Sequence, residues 1–151
     1  MRFSFGFEAL LNWKRNLEEL SQIRLAKKMK QLKLQEEEIQ RVKDQRFSKG
    51  RELIEKLTQE MKTSEYQVYK QYEEDSYNEL LRKEEEKRQT VREVEAEQKE
   101  LIALMKERKM LEKLKEKQFK KFKHQIEKLE QKTSDERVIV RYQSTPKEEL
   151  S

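Results

Sequence analysis

Leu10-Leu11-Asn12-Trp13-Lys14-Arg15-Asn16-Leu17-Glu18-Glu19-Leu20 decides the fold. Its apolar residues Leu10, Trp13, Leu17 and Leu20 step by three and four, the spacing of one face of an α-helix. The phase slips near Ile23 and resumes with Leu25, Met29, Leu32 and Ile39, then with Leu53, Leu57 and Met61. Val91, Val94, Leu101, Leu104, Leu111, Phe122 and Leu129 keep a similar step. Arg108, Lys115 and Gln118 interrupt it at expected seam positions.

Composition says what such faces can build. Charged residues make up 44% of the 151 and hydrophobic ones 33%, against about 25% and about 45–50% in an ordinary globular domain. So little apolar material cannot fill a multilayer core, but it can fill a seam that needs two apolar positions in seven. Disorder is the rival reading of a charge-rich chain. Two glycines, one proline and a close mixture of 36 basic with 31 acidic residues argue against it. The fold class predicted is all-α: two long helices in an antiparallel coiled-coil hairpin, with a disordered C-terminal tail.

A single helix of about 135 residues would reach about 200 Å, so a hairpin is preferred. Met61-Lys62-Thr63-Ser64 is the better turn, because Thr63 or Ser64 can cap the following helix and Gln67 stands three residues after Ser64, as in a capping box. Asp75-Ser76, with Glu79, is the second candidate. A turn near 63 sets residue i beside about 126 minus i and brings Phe3, Phe5 and Phe7 to Phe119 and Phe122. A turn near 75 would set them against the Gln143–Pro146 stretch, which has little to bury. The expected organisation is one hairpin over 1–142: a helix over about 4–61, a turn over about 61–64 and a helix over about 64–141. The second helix is expected to fray at Thr133-Ser134-Asp135, and 143–151 to be a disordered tail.

Charge is unevenly spread. Residues 1–34 carry +5 and 101–132 carry +6, whereas 65–100 carry −5. The hairpin would gather both basic segments at its open end, a field suited to an acidic partner. Nucleic acid is not expected as that partner, because no nucleic-acid-binding motif is present and Glu116 interrupts the Lys113–Lys123 run.

No catalytic constellation stands out. Two glycines cannot build a phosphate loop, and His124, the one histidine, has no second histidine or cysteine with which to bind a metal. Neither a cofactor nor enzyme activity is expected. The absence of cysteine suits a reducing compartment, and no run approaches the about 18 apolar residues of a membrane span. A cytoplasmic protein is expected. Tyr66, Tyr69, Tyr72 and Tyr77 follow the proposed turn at helical spacing. They can fill the seam, or form a docking face of rigid apolar area with hydroxyls.

Three segments carry a family resemblance. Phe5-x-Phe7-Glu8-x-Leu10-Leu11-x-Trp13-Lys14 resembles the opening of the flagellar export protein FliJ family. The run Glu107-Arg108-Lys109-Met110-Leu111-Glu112-Lys113-Leu114-Lys115-Glu116-Lys117 and the later Glu130-Gln131-Lys132-x-x-Asp135-Glu136 are similar to the same family. The resemblance implies a non-enzymatic stalk of the flagellar type III export apparatus, similar to the central stalk of rotary ATP synthases. It implies three partners: the hexameric export ATPase, the membrane export gate protein and export chaperones. It further implies a place in the cytoplasm, held peripherally at the inner face of the membrane at the flagellar base.

The ATPase ring would meet the basic end, at Leu10, Leu11, Lys14, Arg108, Lys109 and Lys113. The gate would meet the face after the turn, at Tyr69, Tyr72, Ser76 and Tyr77. One departure stands out: the family often has an aromatic and, four residues later, a leucine there, whereas this chain has Tyr72 and Ser76. A structural coiled-coil tether, or the stalk of a related virulence secretion system, is the alternative reading.

Overall fold

The computed structural model describes residues 2–144. They form two α-helices that pack against each other, α1 (Glu8–Leu57) and α2 (Thr63–Ser144). The tail expected at 143–151 lies outside the described residues from 145 onward, and Gln143 and Ser144 are the last residues of α2.

The helix ends show how the chain reverses without a specialised glycine. At the close of α1 the Thr58 hydroxyl donates to the Glu55 carbonyl (2.6 Å) and the Gln59 amide to that of Lys56 (3.2 Å). Carbonyls left without helical partners are thereby satisfied. At the start of α2 the Lys62 carbonyl accepts from the amides of Glu65 and Tyr66 (3.1 and 3.2 Å). Residues 58–62 make the connection, a few residues before the 61–64 expected from the capping pattern. Thr63 and Ser64, the two expected caps, are the first and second residues of α2 and so already lie inside it. Glu8, in the first turn of α1, and Arg141, in the last turn of α2, complement the helix dipoles.

Packing divides the chain into two compact units, one of residues 17–103 and one containing 2–16 with 104–144. In the 17–103 unit, the inward residues of α1 run Ser21, Leu25, Lys28, Leu32, Gln35, Ile39, Val42, at alternating steps of four and three. This is the 3.5-residue period of a coiled-coil seam. Its apolar centre is small: Ile39, Val42 and Leu80. Ser21, Ser76 and Thr90 are buried in the same seam. Thr90 donates to the Glu86 carbonyl (3.1 Å) and Ser76 to that of Glu73 (3.1 Å), so both hydroxyls are satisfied within their own helix. The Ser21 hydroxyl meets no protein partner.

Ion pairs flank this seam. Arg24 meets Glu100 (3.1 Å) and Glu97 (3.4 Å), Lys28 meets Glu93 (2.6 Å), Glu36 meets Lys87 (3.7 Å) and Glu38 meets Lys83 (3.3 Å). As the α1 number rises the α2 number falls, so the two segments are antiparallel. The early connection also shifts the register, since Lys28 faces Glu93 where residue 98 was expected. Exposed pairs of this kind add little stability. Their work is to make one register better than its neighbours, because a slip of one heptad would move Glu36 from Lys87 to Leu80 or Val94 and Glu38 from Lys83 to Ser76 or Thr90.

The other unit is anchored by aromatic contact. The Phe3 ring lies 5.2 Å from Phe119, edge to face, and 5.4 Å from Phe122. Phe5 is buried, and Leu11 is wholly so. Lys115 meets Glu8 (2.8 Å), Lys14 meets Glu107 (2.6 Å) and Arg15 meets Glu112 (3.3 Å).

These contacts turn α1 away from its expected face. Leu10, Trp13 and Leu20 are 37%, 52% and 52% exposed, whereas Leu11, Glu18 and Ser21 are buried and Lys14 is half-buried. Within the 17–103 unit the inward positions of α1 run Glu18, Ser21 and Leu25, so the phase slip expected near Ile23 does not occur there. The stem of Lys14 lies along the inward side while its ammonium reaches Glu107. Beyond Ile126 every described residue of α2 is exposed. The helix nonetheless continues through the expected fraying point, where the Thr133 hydroxyl donates to the Leu129 carbonyl (2.9 Å).

Two outcomes follow from this seam. Leu80→Ala should lower unfolding free energy by about 2 kcal/mol, whereas Ser21→Ala, which deletes an unpartnered hydroxyl, should cost nothing; urea unfolding followed by circular dichroism measures both. The hydrogen bond from Arg41 lowers the Glu38 carboxyl from 4.5 to about 2, with Lys83 adding to it and burial opposing. Lys28 likewise lowers Glu93. Carboxyls with depressed values stabilise the fold above their unfolded values and lose that contribution as pH falls. The thermal midpoint should therefore hold from pH 7 to about 5 and decline between pH 4.5 and about 2.

Candidate partner-binding surfaces

The 2–16 and 104–144 unit carries the first surface. Once Lys115 and Arg108 have paired with Glu8 and Glu112, α2 still presents lysines that meet no carboxylate among the described residues. Lys106, Lys109, Lys113, Lys117 and Lys121 follow one another at steps of three, four, four and four, so they share one face of the helix, and all are exposed. A row of like charges with no internal partner raises the local potential and favours an acidic partner.

The residues expected to meet the ring divide into three groups. Lys109 and Lys113 belong to this row, and Leu10 is partly open beside the more exposed Phe7 and Trp13. Leu11 is wholly buried, so it supports the surface from beneath. Lys14 and Arg108 are half-buried and spoken for: Lys14 by Glu107 and by the Trp13 ring 5.0 Å away, Arg108 by Glu112 at 2.8 Å. Lys106, Lys117 and Lys121 were missed, although the three-and-four step along a basic run is visible in the sequence alone. The Glu112 carboxyl is raised by burial but pulled down further by Arg108 and Arg15, a net lowering that keeps it charged for both.

The second surface is a groove of about 510 Å³ in the 17–103 unit. Phe47, Gly50, Leu53 and Ile54 of α1 and Tyr69, Tyr72 and Ser76 of α2 line it, with Lys43, Arg46, Lys49 and Glu73 around them. Phe47 and Ile54 are 69% and 65% exposed, a large apolar area for a monomer to leave open. The Tyr69 hydroxyl donates to Glu52 (2.9 Å) and holds that carboxyl below its ordinary value, with Lys49 adding to the effect. The Lys56 ammonium stands 5.2 Å from the Tyr69 ring.

Three of the four residues expected at the gate come together here, and they differ in reach. Tyr69 and Tyr72 are half-buried in the wall. Ser76 is buried, donating to Glu73 and accepting from the Arg46 guanidinium (3.1 Å). Tyr77 is outside the lining, half-exposed, with its ring 5.3 Å from the Arg46 guanidinium. The aliphatic group absent at Ser76 has counterparts on the opposite helix in Leu53 and Ile54, with the aromatic Phe47 beside them in the lining. The sequence hid these because they lie before the connection, on the other strand of the hairpin.

Among the described residues no group of three His, Cys, Asp or Glu side chains could hold a metal ion. No helix there is long and apolar enough to cross a membrane. His124 is exposed on α2. A family model described as the flagellar FliJ protein matches residues 3–147. No curated protein and no solved structure matches the chain.

Proposed function

The chain belongs to the flagellar FliJ protein family, whose members are non-enzymatic components of the flagellar export apparatus, and on that premise we propose that it is a stalk for two partners. The export ATPase hexamer binds the lysine face of α2 together with the exposed Phe7, Leu10 and Trp13. The membrane export gate protein binds the tyrosine groove. Escort of export chaperones belongs to the same reading, as does a cytoplasmic location, peripheral to the inner face of the membrane at the flagellar base.

The observation that carries the proposal is the row of exposed lysines without carboxylate partners. A protein that only needed to fold would gain by interleaving glutamates at helical spacing, as this chain does at Arg88–Glu85 and Lys120–Glu116. An asymmetric stalk inside a symmetric ring acts by binding some subunit states better than others, which shifts populations those subunits already visit. Long cationic side chains on a helix surface suit that role, since they follow a moving acidic partner at small cost in fit.

The structure also says which substitutions test the idea cleanly. Reversing Arg108 would disturb its pairing with Glu112, so a loss of function there would be ambiguous. Lys109→Glu with Lys113→Glu alters only exposed groups. The double variant should keep the wild-type helicity and melting curve, yet lose most stimulation of ATP turnover by the purified export ATPase at low salt. Stimulation equal to wild type would overturn the assignment of this face.

A further inference from the structure

The connection that reverses the chain is Thr58-Gln59-Glu60-Met61-Lys62, and four of its five residues are good helix formers. It holds no glycine or proline, and among the described residues no φ is positive, so its composition does not commit the chain to a turn. Leu53, Leu57, Met61, Glu65 and Tyr69 succeed one another at steps of four through it. Each would adjoin the next on a helix that ran through the connection. In the hairpin Leu57 is instead 54% exposed.

Register decides what such a helix would meet. Facing residues of the 17–103 unit stand nearly equally far before and after Met61. Arg46 donates to Ser76 with fifteen residues' distance in sequence on either side, and Lys28 pairs with Glu93 at thirty-three and thirty-two. Two uninterrupted helices set antiparallel in this register would keep these contacts between chains, with a two-fold axis at Met61. There Met61 meets its own copy, and Glu60 of each chain falls opposite Lys62 of the other. In the hairpin the Glu60 and Lys62 side chains are exposed and meet no opposite charge among the described residues. They are two residues apart, a spacing at which side chains on one helix do not face each other, so a single helix cannot pair them.

We propose that the chain exchanges α2 with a second copy, residues 58–62 opening into helix, to form a two-fold symmetric dimer. The exchange reproduces the hairpin seam between chains, so the balance rests on the connection. Leu57 and Met61 leave water at the axis, two Glu60–Lys62 pairs form, and a turn gives way to helix. Against these gains stands the entropy of association, so chain concentration sets the population.

The test is sedimentation velocity on the full chain after refolding from urea at micromolar and at millimolar concentration, since the seam must open for the exchange. A dimer should appear at the higher concentration. Met61→Pro, which a connection tolerates and a helix interior does not, should keep the hairpin's melting curve and lose the dimer. Glu60→Lys should weaken the dimer about tenfold at low salt, because symmetry doubles the change. Adding Lys62→Glu to it should restore the wild-type affinity. The chain has no cysteine, so Arg46→Cys with Ser76→Cys reports which chain supplies the facing helix. Oxidation should join two chains in the dimer and close one chain in the monomer.

A wild type that stays monomeric after refolding at millimolar concentration overturns the inference. So does a dimer whose cysteines close only within chains, which would be two intact hairpins in contact. A dimer unchanged by Met61→Pro overturns the helix through the connection, and a double reversal no tighter than Glu60→Lys alone overturns the axis at Met61.

Discussion

The antiparallel seam is the constraint on which the rest depends. It is narrow, its apolar centre in the 17–103 unit is Ile39, Val42 and Leu80, and several of its positions are occupied by serine, threonine, glutamine or lysine. A seam so poor in hydrocarbon holds two helices together but discriminates weakly between registers. Discrimination comes from its edges, where lysines and arginines of one helix meet glutamates of the other at Arg24, Lys28, Lys83 and Lys87. Once register is fixed, every outward residue is fixed as well.

That division explains what the sequence revealed. The helices, their antiparallel pairing and the meeting of Phe3 with Phe119 and Phe122 were all legible, because spacing and composition carry them. The inward face of the first turns was not. Leu10, Trp13 and Leu20 repeat at helical spacing as convincingly as any seam, yet they face outward. The inward positions are held by Leu11, Lys14, Glu18 and Ser21. Nothing local reveals that Lys14 has a partner in Glu107, more than ninety residues away in the chain. Apolar spacing locates a helix face but does not say whether that face is turned to the fold or to another protein.

The same limit applies to the surfaces. Lys109, Lys113, Tyr69 and Tyr72 could be named from charge and spacing. The α1 side of the groove could not, since Phe47, Gly50 and Ile54 join Tyr69 and Tyr72 only after the chain has reversed. Ser76 looked like a lost aliphatic contact, and it is instead a buried hydroxyl bridging Arg46 and the Glu73 carbonyl. Ser76 and Thr90 of this seam are bonded within their own helix, whereas Phe47 and Ile54 on its outside are largely exposed. A globular domain keeps most of its large apolar side chains inside.

The account places the two partners on different units of the chain, so they should bind together. Sedimentation velocity on a mixture of this protein, the export ATPase hexamer and the cytoplasmic domain of the gate protein tests that most directly. The prediction is one ternary species whose mass requires both partners. If the gate domain instead displaces the chain from the ATPase, leaving only binary complexes, one surface serves both partners and the two-surface stalk is contradicted.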